Sequence, residues 1–218
     1  METAECRDAI EKDLVYVSTF ALKDPLRPNI EQSVQKIRYG RVFDQTADSN
    51  EPYQVNIRMM TGDHLQTARA IAIQCGIIND EEANEEDVVM TGAEFREKIG
   101  AYNKVMDYNK KEYRIDFMDR KKFDELKKKV KVIARCTSED KFVFVCGIKS
   151  KGGLVGMTGS TISDAEALRK ADVGLSMGTG CDVAKDNSDL VILDNNFESI
   201  YKSIMWGRAI FDNVRKFL

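Results

Sequence analysis

The chain has one histidine in 218 residues and no CxxC pair. Its cysteines, Cys6, Cys75, Cys136, Cys146 and Cys181, stand far apart. A structural zinc site draws on four Cys or His ligands at short spacings, so that class is excluded. Odd in number and scattered, the thiols read as reduced core residues, which implies an intracellular, cytosol-like compartment. No apolar run approaches the roughly 18 residues of a membrane-spanning helix. Any membrane role is therefore expected through partners or peripheral surface contact. The opening METAECRDAI lacks the basic-then-apolar order of a secretory signal. Positive charge is not in excess: the net charge is −3, which gives no case for nucleic acid. No internal repeat is visible. What is there, 43% apolar and 32% charged residues, suits a soluble globular chain with a sizeable core.

Apolar, β-rich runs alternate with helical patterns. Leu14–Leu22, Val55–Met60, Val130–Ala134, Leu154–Met157, Val173–Met177 and Leu190–Leu193 read as strands. Between them, helices are expected from Pro28 to Arg38, His64 to Cys75, Ser138 to Ile148 and Asp164 to Lys170, with Gly76 stopping the second. The alternation predicts an α/β domain: a mostly parallel, three-layer Rossmann-like sheet with helices on both faces. One domain over 1–218 is expected, interrupted twice. Tyr39–Gln54 is polar and reads as a loop insertion. Residues 79–129 read as a charged, helical excursion. Asn79–Asp87 holds six acids and Lys110–Lys131 ten bases against five acids, which suggests a solvated helical face.

The last segment predicts one long helix. Phe197, Ile200, Ile204, Phe211, Val214 and Leu218 follow 3-4 spacing, with Gly207 at the missing step. The stripe either packs on the domain throughout or presents its distal end, with Phe211, Val214, Phe217 and Leu218, to a partner. The sequence closes on Phe217 and Leu218 without a C-cap, which favours a protein partner.

Three stretches carry chemistry. Val55–Met60 runs into Thr61-Gly62-Asp63, a strand-turn-helix arrangement that exposes backbone N–H groups to a phosphate. Lys141 opens a helix after Ala134-Arg135 and has the charge to neutralise a phosphoryl group. Leu154–Leu168 repeats the strand-turn-helix pattern, with Asp164 placed to cap the helix or support a metal.

In this order, these segments resemble the phosphorylation (P) domain of P-type cation-transporting ATPases, within the haloacid-dehalogenase superfamily, and most of all calcium pumps of the plasma-membrane type. KDPLRP (23–28) resembles the family's DPxRP, MTGDH (60–64) with TARAIAIQCGI (67–77) its TGD motif and following helix, and ARCTSEDK (134–141) its AR…P..K motif. ADVGLSMG (171–178), DVAK (182–185), SDLVILDNNF (188–197) and MWGR (205–208) are similar to the stretch before the fifth membrane helix. The resemblance implies that Thr61 and Gly62 hold a phosphoryl group and Lys141 neutralises it. It places Asp24, Arg27, Asp63 and Arg135 on the nucleotide or hinge side, and Asp164 beside magnesium.

The departures shape the functional expectation. No DKTGT motif, which carries the phosphorylated aspartate, occurs in the chain. The family's TGDGxND loop reads Thr158-Gly159-Ser160-Thr161-Ile162-Ser163-Asp164, so Ser160 replaces the magnesium-ligating Asp, Thr161 a Gly and Ser163 an Asn. A hydroxyl is a poor substitute for that carboxylate. Glu166 stands for a Pro, and His64 for the usual Asn. The 218 residues are expected to supply neither the nucleotide-binding and actuator domains nor the membrane helices of such pumps. The expectation is a degenerate P-domain-like protein, inactive on its own, acting as a structural or regulatory subunit of a larger, membrane-associated assembly. No cofactor is expected unless the family's function survives, when magnesium and ATP are implied. The alternative is a fragment or split chain of a calcium-transporting pump.

Overall fold

Val132, Ile133 and Ala134 are consecutive, apolar and buried, as a strand covered on both faces requires. In the computed structural model, which describes residues 13–20, 25–39, 55–107 and 112–218, they are the middle of a parallel sheet. The elements in chain order are α1 Ile30–Tyr39, β1 Met59–Met60, α2 Leu65–Gln74, β2 Val89–Thr91, α3 Gly92–Ile99, β3 Tyr102–Asp107, β4 Glu112–Phe117 and α4 Arg120–Lys129. They continue with β5 Val132–Ala134, α5 Ser138–Lys149, β6 Gly156–Gly159, α6 Ala165–Lys170, β7 Val173–Met177, α7 Asp182–Asp186, β8 Leu190–Ile192 and α8 Phe197–Phe217. One sheet has the order β1–β5–β2 and another β6–β7–β8, every neighbour parallel.

Alternation along β5 divides the core. Val132 and Ala134 face a cluster with Val34 of α1 and Ala68 and Ala72 of α2. Ile133 faces the other way, into Phe95 and Ile99 of α3, Phe123 and Leu126 of α4, and Phe142 to Phe144 of α5. The sheet is thus covered by helices on both faces, as the sequence pattern predicts. Two helices tie the sheets together. α1 presents Val34 to the first and Ile37 to Leu175 and Ile192 of the second. α5 presents Phe142 to the first cluster and Val145 to Ala167 and Ala171 beside α6.

Helix starts follow from side-chain caps. Thr91 with Glu94 and Thr137 with Asp140 form capping boxes at α3 and α5. The His64 side chain accepts from the Gln66 N–H at α2, and Gly76, at φ 71°, follows that helix.

Several expectations change. Leu14–Phe20 forms no strand and lies exposed, because no described segment pairs with it. Residues 79–129 are not a helical excursion. They include β2, which joins the central sheet, and the antiparallel β3–β4 hairpin, registered from Tyr102 opposite Phe117 to Asp107 opposite Glu112. The solvated-face reading of α4 holds for its lysines but not for Phe123 and Leu126, which are buried. The predicted Val55–Met60 strand shrinks to Met59–Met60. The Tyr39–Gln54 insertion lies outside the described residues from position 40 onward.

Candidate functional site

The first half of the site is built where β1 and β5 end. The Thr61 N–H donates to the Ile133 carbonyl (3.0 Å), Cys136 N–H to the Thr61 carbonyl (2.9 Å) and Arg135 N–H to the Asp63 carbonyl (3.0 Å). These bonds lock the Thr61–Asp63 turn onto Arg135–Cys136. Arg135 takes φ 51°, a left-handed conformation in which a non-glycine side chain is strained. The Thr61 hydroxyl is engaged inside its own turn: it donates to the Asp63 carboxylate (2.8 Å) and accepts from the Asp63 N–H (3.1 Å). Gly62 is exposed, and a Cβ there would meet nothing.

The second half is buried. Lys141 Nζ donates to Asp164 Oδ1 at 2.6 Å, and both residues are 7% exposed. The other carboxylate oxygen, Oδ2, accepts from the Ser160 and Thr161 N–H groups (3.0 Å each) and from the Thr161 hydroxyl (2.8 Å). Burial works to raise the Asp164 carboxyl, but Lys141 and Thr161 outweigh it and hold it below its ordinary value. Glycines make the turn possible. A Cβ on Gly159 would lie 2.5 Å from the Asp164 Cβ. One on Gly180 would lie 3.1 Å from the Ser160 Cα, where the Cys181 N–H donates to the Ser160 carbonyl (2.9 Å).

Cys136 belongs to the first half and feels the charge of Lys141 in the second. Burial first, then the Asp140 charge, pushes its thiol up to about 12, while Lys141, the Thr61 backbone N–H and Arg96 pull the other way. Asp140 is itself buried, and its Oδ2 binds Arg96 (2.6 Å) and the Thr137 N–H (2.8 Å). Cys136, Asp140 and Arg96 escape the sequence reading as site neighbours. Thr137-x-x-Asp140 and Thr161-x-x-Asp164 were both legible as capping signals. Arg96, 44 residues from its partner, carried no signal.

Thr61, Gly62, Asp63 and Arg135 therefore come together, as do Ser160, Asp164 and Lys141. Arg27 goes elsewhere: its guanidinium donates to the Asn195 carbonyl. Asn195 in turn accepts from Thr179 beyond β7. Asp24 lies outside the described residues. Phe211, Val214, Phe217 and Leu218 are exposed along α8.

The donor set does not suit magnesium. That ion takes carboxylate oxygens in a near-ideal octahedron. Ser160 contributes a neutral hydroxyl, and both Asp164 oxygens already accept protein donors. Among the described residues no group of three or more His, Cys, Asp or Glu could hold a metal ion.

Parallel strands under helices, a Thr-Gly-Asp turn and a buried lysine following the β5 strand end are what the P-domain resemblance implies. No protein-family model matches the chain. Comparison with curated proteins makes it a relative of plasma-membrane-type calcium-transporting ATPases. It is 36% identical over 209 residues to Calcium-transporting ATPase 8, plasma membrane-type, of Arabidopsis thaliana, covering 95% of this chain and 16% of that protein. It is 35% identical over 212 residues to Plasma membrane calcium-transporting ATPase 3 of Homo sapiens, covering 94% of this chain and 15% of that protein. The chain thus spans about one sixth of these relatives' length. Among solved structures, the catalytic domain of the CPx-ATPase CopB-B matches with TM-score 0.49 and 17% identity, over 82% of this chain and 45% of that one.

Proposed function

We propose that this chain is a degenerate P-domain module, catalytically inactive, that serves as a structural or regulatory subunit of a larger, membrane-associated assembly. One observation carries the reading. Where the family resemblance calls for a ligating carboxylate stands Ser160, and the remaining carboxylate, Asp164, is consumed by Lys141 and the Thr161 turn. Lys141, in turn, is neutralised within the fold rather than by a ligand. The scaffold meanwhile keeps its caps, its parallel strands and its buried core.

A bound ion raises stability in proportion to the logarithm of its concentration over its dissociation constant. The thermal midpoint is accordingly expected to stay unchanged up to about 10 mM magnesium, with or without inorganic phosphate. A midpoint that climbs with magnesium sinks the degenerate-site reading. In mild-detergent membrane extracts the native protein is expected to migrate with a large complex, and a free monomer in the soluble fraction removes the subunit role.

A second reading keeps one observation of its own: 36% identity extends over 209 residues, 95% of the chain. It makes the chain a piece of a working calcium-transporting pump. Formation of an acyl phosphate from ATP on the native polypeptide, cleaved by hydroxylamine, selects this reading over the first.

A further inference from the structure

Lys131 stands at the opposite end of β5 from the candidate site. Its N–H donates to the Val88 carbonyl (2.9 Å), and its carbonyl accepts from the Met59 N–H (2.9 Å). The backbone is thus held from both flanks of the central strand, while the side chain is half-buried. With Val88, Lys128, Lys129, Glu82, Glu85 and Glu86 it lines an open cavity of about 470 Å³. Among the described residues no carboxylate forms an ion pair with it. Glu82 is engaged in its own turn, where it accepts from the Asn79 N–H (3.1 Å). Two guanidiniums stand nearer in charge. Arg58 donates to the Val130 and Lys127 carbonyls (3.1 and 2.7 Å), and Arg38 to the Ile77 carbonyl (3.3 Å). Burial first, then Arg38 and Arg58, pull the Lys131 ammonium below its ordinary value, against the opposite pull of Glu82.

We propose that Lys131 is an acylation site, whose ε-amine takes an acyl group from an activated donor of the thioester class. The nucleophile is the free amine, and a lysine desolvated beside other cations presents more of it. The amine attacks the thioester carbonyl. The C–N bond forms, the C–S bond breaks, and the departing thiolate takes up the proton that the amine gives up. No oxidant or reductant is consumed. The product is a neutral amide. It replaces a charge that burial and both guanidiniums disfavour, and it creates no anion for Glu82, Glu85 and Glu86 to oppose. Lys128 and Lys129 share the cavity but are exposed, and Lys129 is paired with Asp87 (3.4 Å). They are therefore internal controls with the same access to a reagent. The inference goes beyond the subunit reading and does not depend on it.

The probe is an uncharged acetyl thioester, S-acetyl-N-acetylcysteamine, which removes electrostatic steering from the comparison. The full chain is incubated with it at about pH 8, below the ordinary lysine range, and mass spectrometry follows acetylation at each lysine. Lys131 is expected to react on the order of threefold or more faster than Lys128 and Lys129, because more of it is free amine at that pH. Its rate should also level off at lower pH than theirs. In guanidinium chloride sufficient to unfold the chain, the three rates should converge. Equal rates in the folded chain overturn the inference. So does an advantage of Lys131 that persists in the unfolded chain, since it would then come from neighbours in sequence and not from the cavity, Arg38 and Arg58.

Discussion

Lys141→Met is expected to destabilise the protein by about 3–5 kcal/mol. The ammonium is one of two buried partners, 2.6 Å from Asp164 Oδ1, and its removal leaves a carboxylate in a site with little solvent. Urea unfolding at neutral pH measures the loss. Lys141→Met combined with Asp164→Asn should recover part of it, since the amide needs no counter-charge. A single-variant loss below about 1 kcal/mol means that the pair is screened like a surface ion pair, and the argument for its burial fails. The pH dependence has a definite sign. Asp164 sits below its reference value of 3.8 in the folded state. Its ionised form therefore stabilises the fold above that value and ceases to as pH falls through the lowered one. In Lys141→Met the largest lowering influence is gone and burial remains, so less stability rests on ionised Asp164, and the variant's deficit against wild type should narrow as pH falls through the range where the wild-type carboxyl protonates.

Phe123→Ala should cost about as much, about 3–5 kcal/mol. The ring is fully buried in α4, 4.7 Å from the Phe117 ring of β4 and 5.8 Å from the Phe144 ring of α5. It therefore holds the hairpin and α4 onto the helix that bears Lys141. Gly147 of α5 makes room for it: a Cβ there would lie 2.3 Å from Phe123 Cζ. In an open helix interior, glycine to alanine stabilises by roughly 1 kcal/mol. Here Gly147→Ala should instead destabilise by about 1–3 kcal/mol through overpacking. Chemical unfolding decides both. A neutral Phe123→Ala would mean that residues 92–129 are an appendage rather than part of the core.

That region shows where sequence pattern reaches its limit. The run Arg120–Lys129 is so rich in lysine that its two apolar residues read as incidental. Yet Phe123 and Leu126, three apart, fall on one helix face, and the lysines lie on the rest. Charge density described the outer face truthfully and concealed the inner one. The hairpin was harder still. Tyr102–Asp107 and Glu112–Phe117 are polar enough to pass for loop. Only pairing with each other, with Ile115 in the buried cluster and Phe117 against the Phe123 ring, makes them strands. Leu14–Leu22 erred in the opposite direction. It has the apolar, β-branched composition of a strand, but a strand also needs a neighbour to receive its N–H and C=O groups.

The candidate site divides in the same way. The Thr61-Gly62-Asp63 turn, Lys141 and the Ser160 loop were legible because each is a local pattern of turn residues between a strand and a helix. Their order along the chain made the P-domain resemblance specific. Arg27 belonged to that pattern as well, but its hydrogen bond to Asn195, 168 residues away, is a matter of packing.

The sequence by itself determined the alternation of strands and helices, the Thr-Gly-Asp turn and the hydroxyl-rich loop at Ser160. All of these are set by residue types within a few positions of one another. Only the tertiary structure decided that Lys141 is neutralised by Asp164, that Cys136 is tied to the Thr61 turn, that Phe123 is a core residue, and that the apolar stripe of α8 is anchored at one end and bare at the other. Each of those depends on burial and on partners distant in sequence, and hydrophobic periodicity indicates which face is apolar without indicating what covers it.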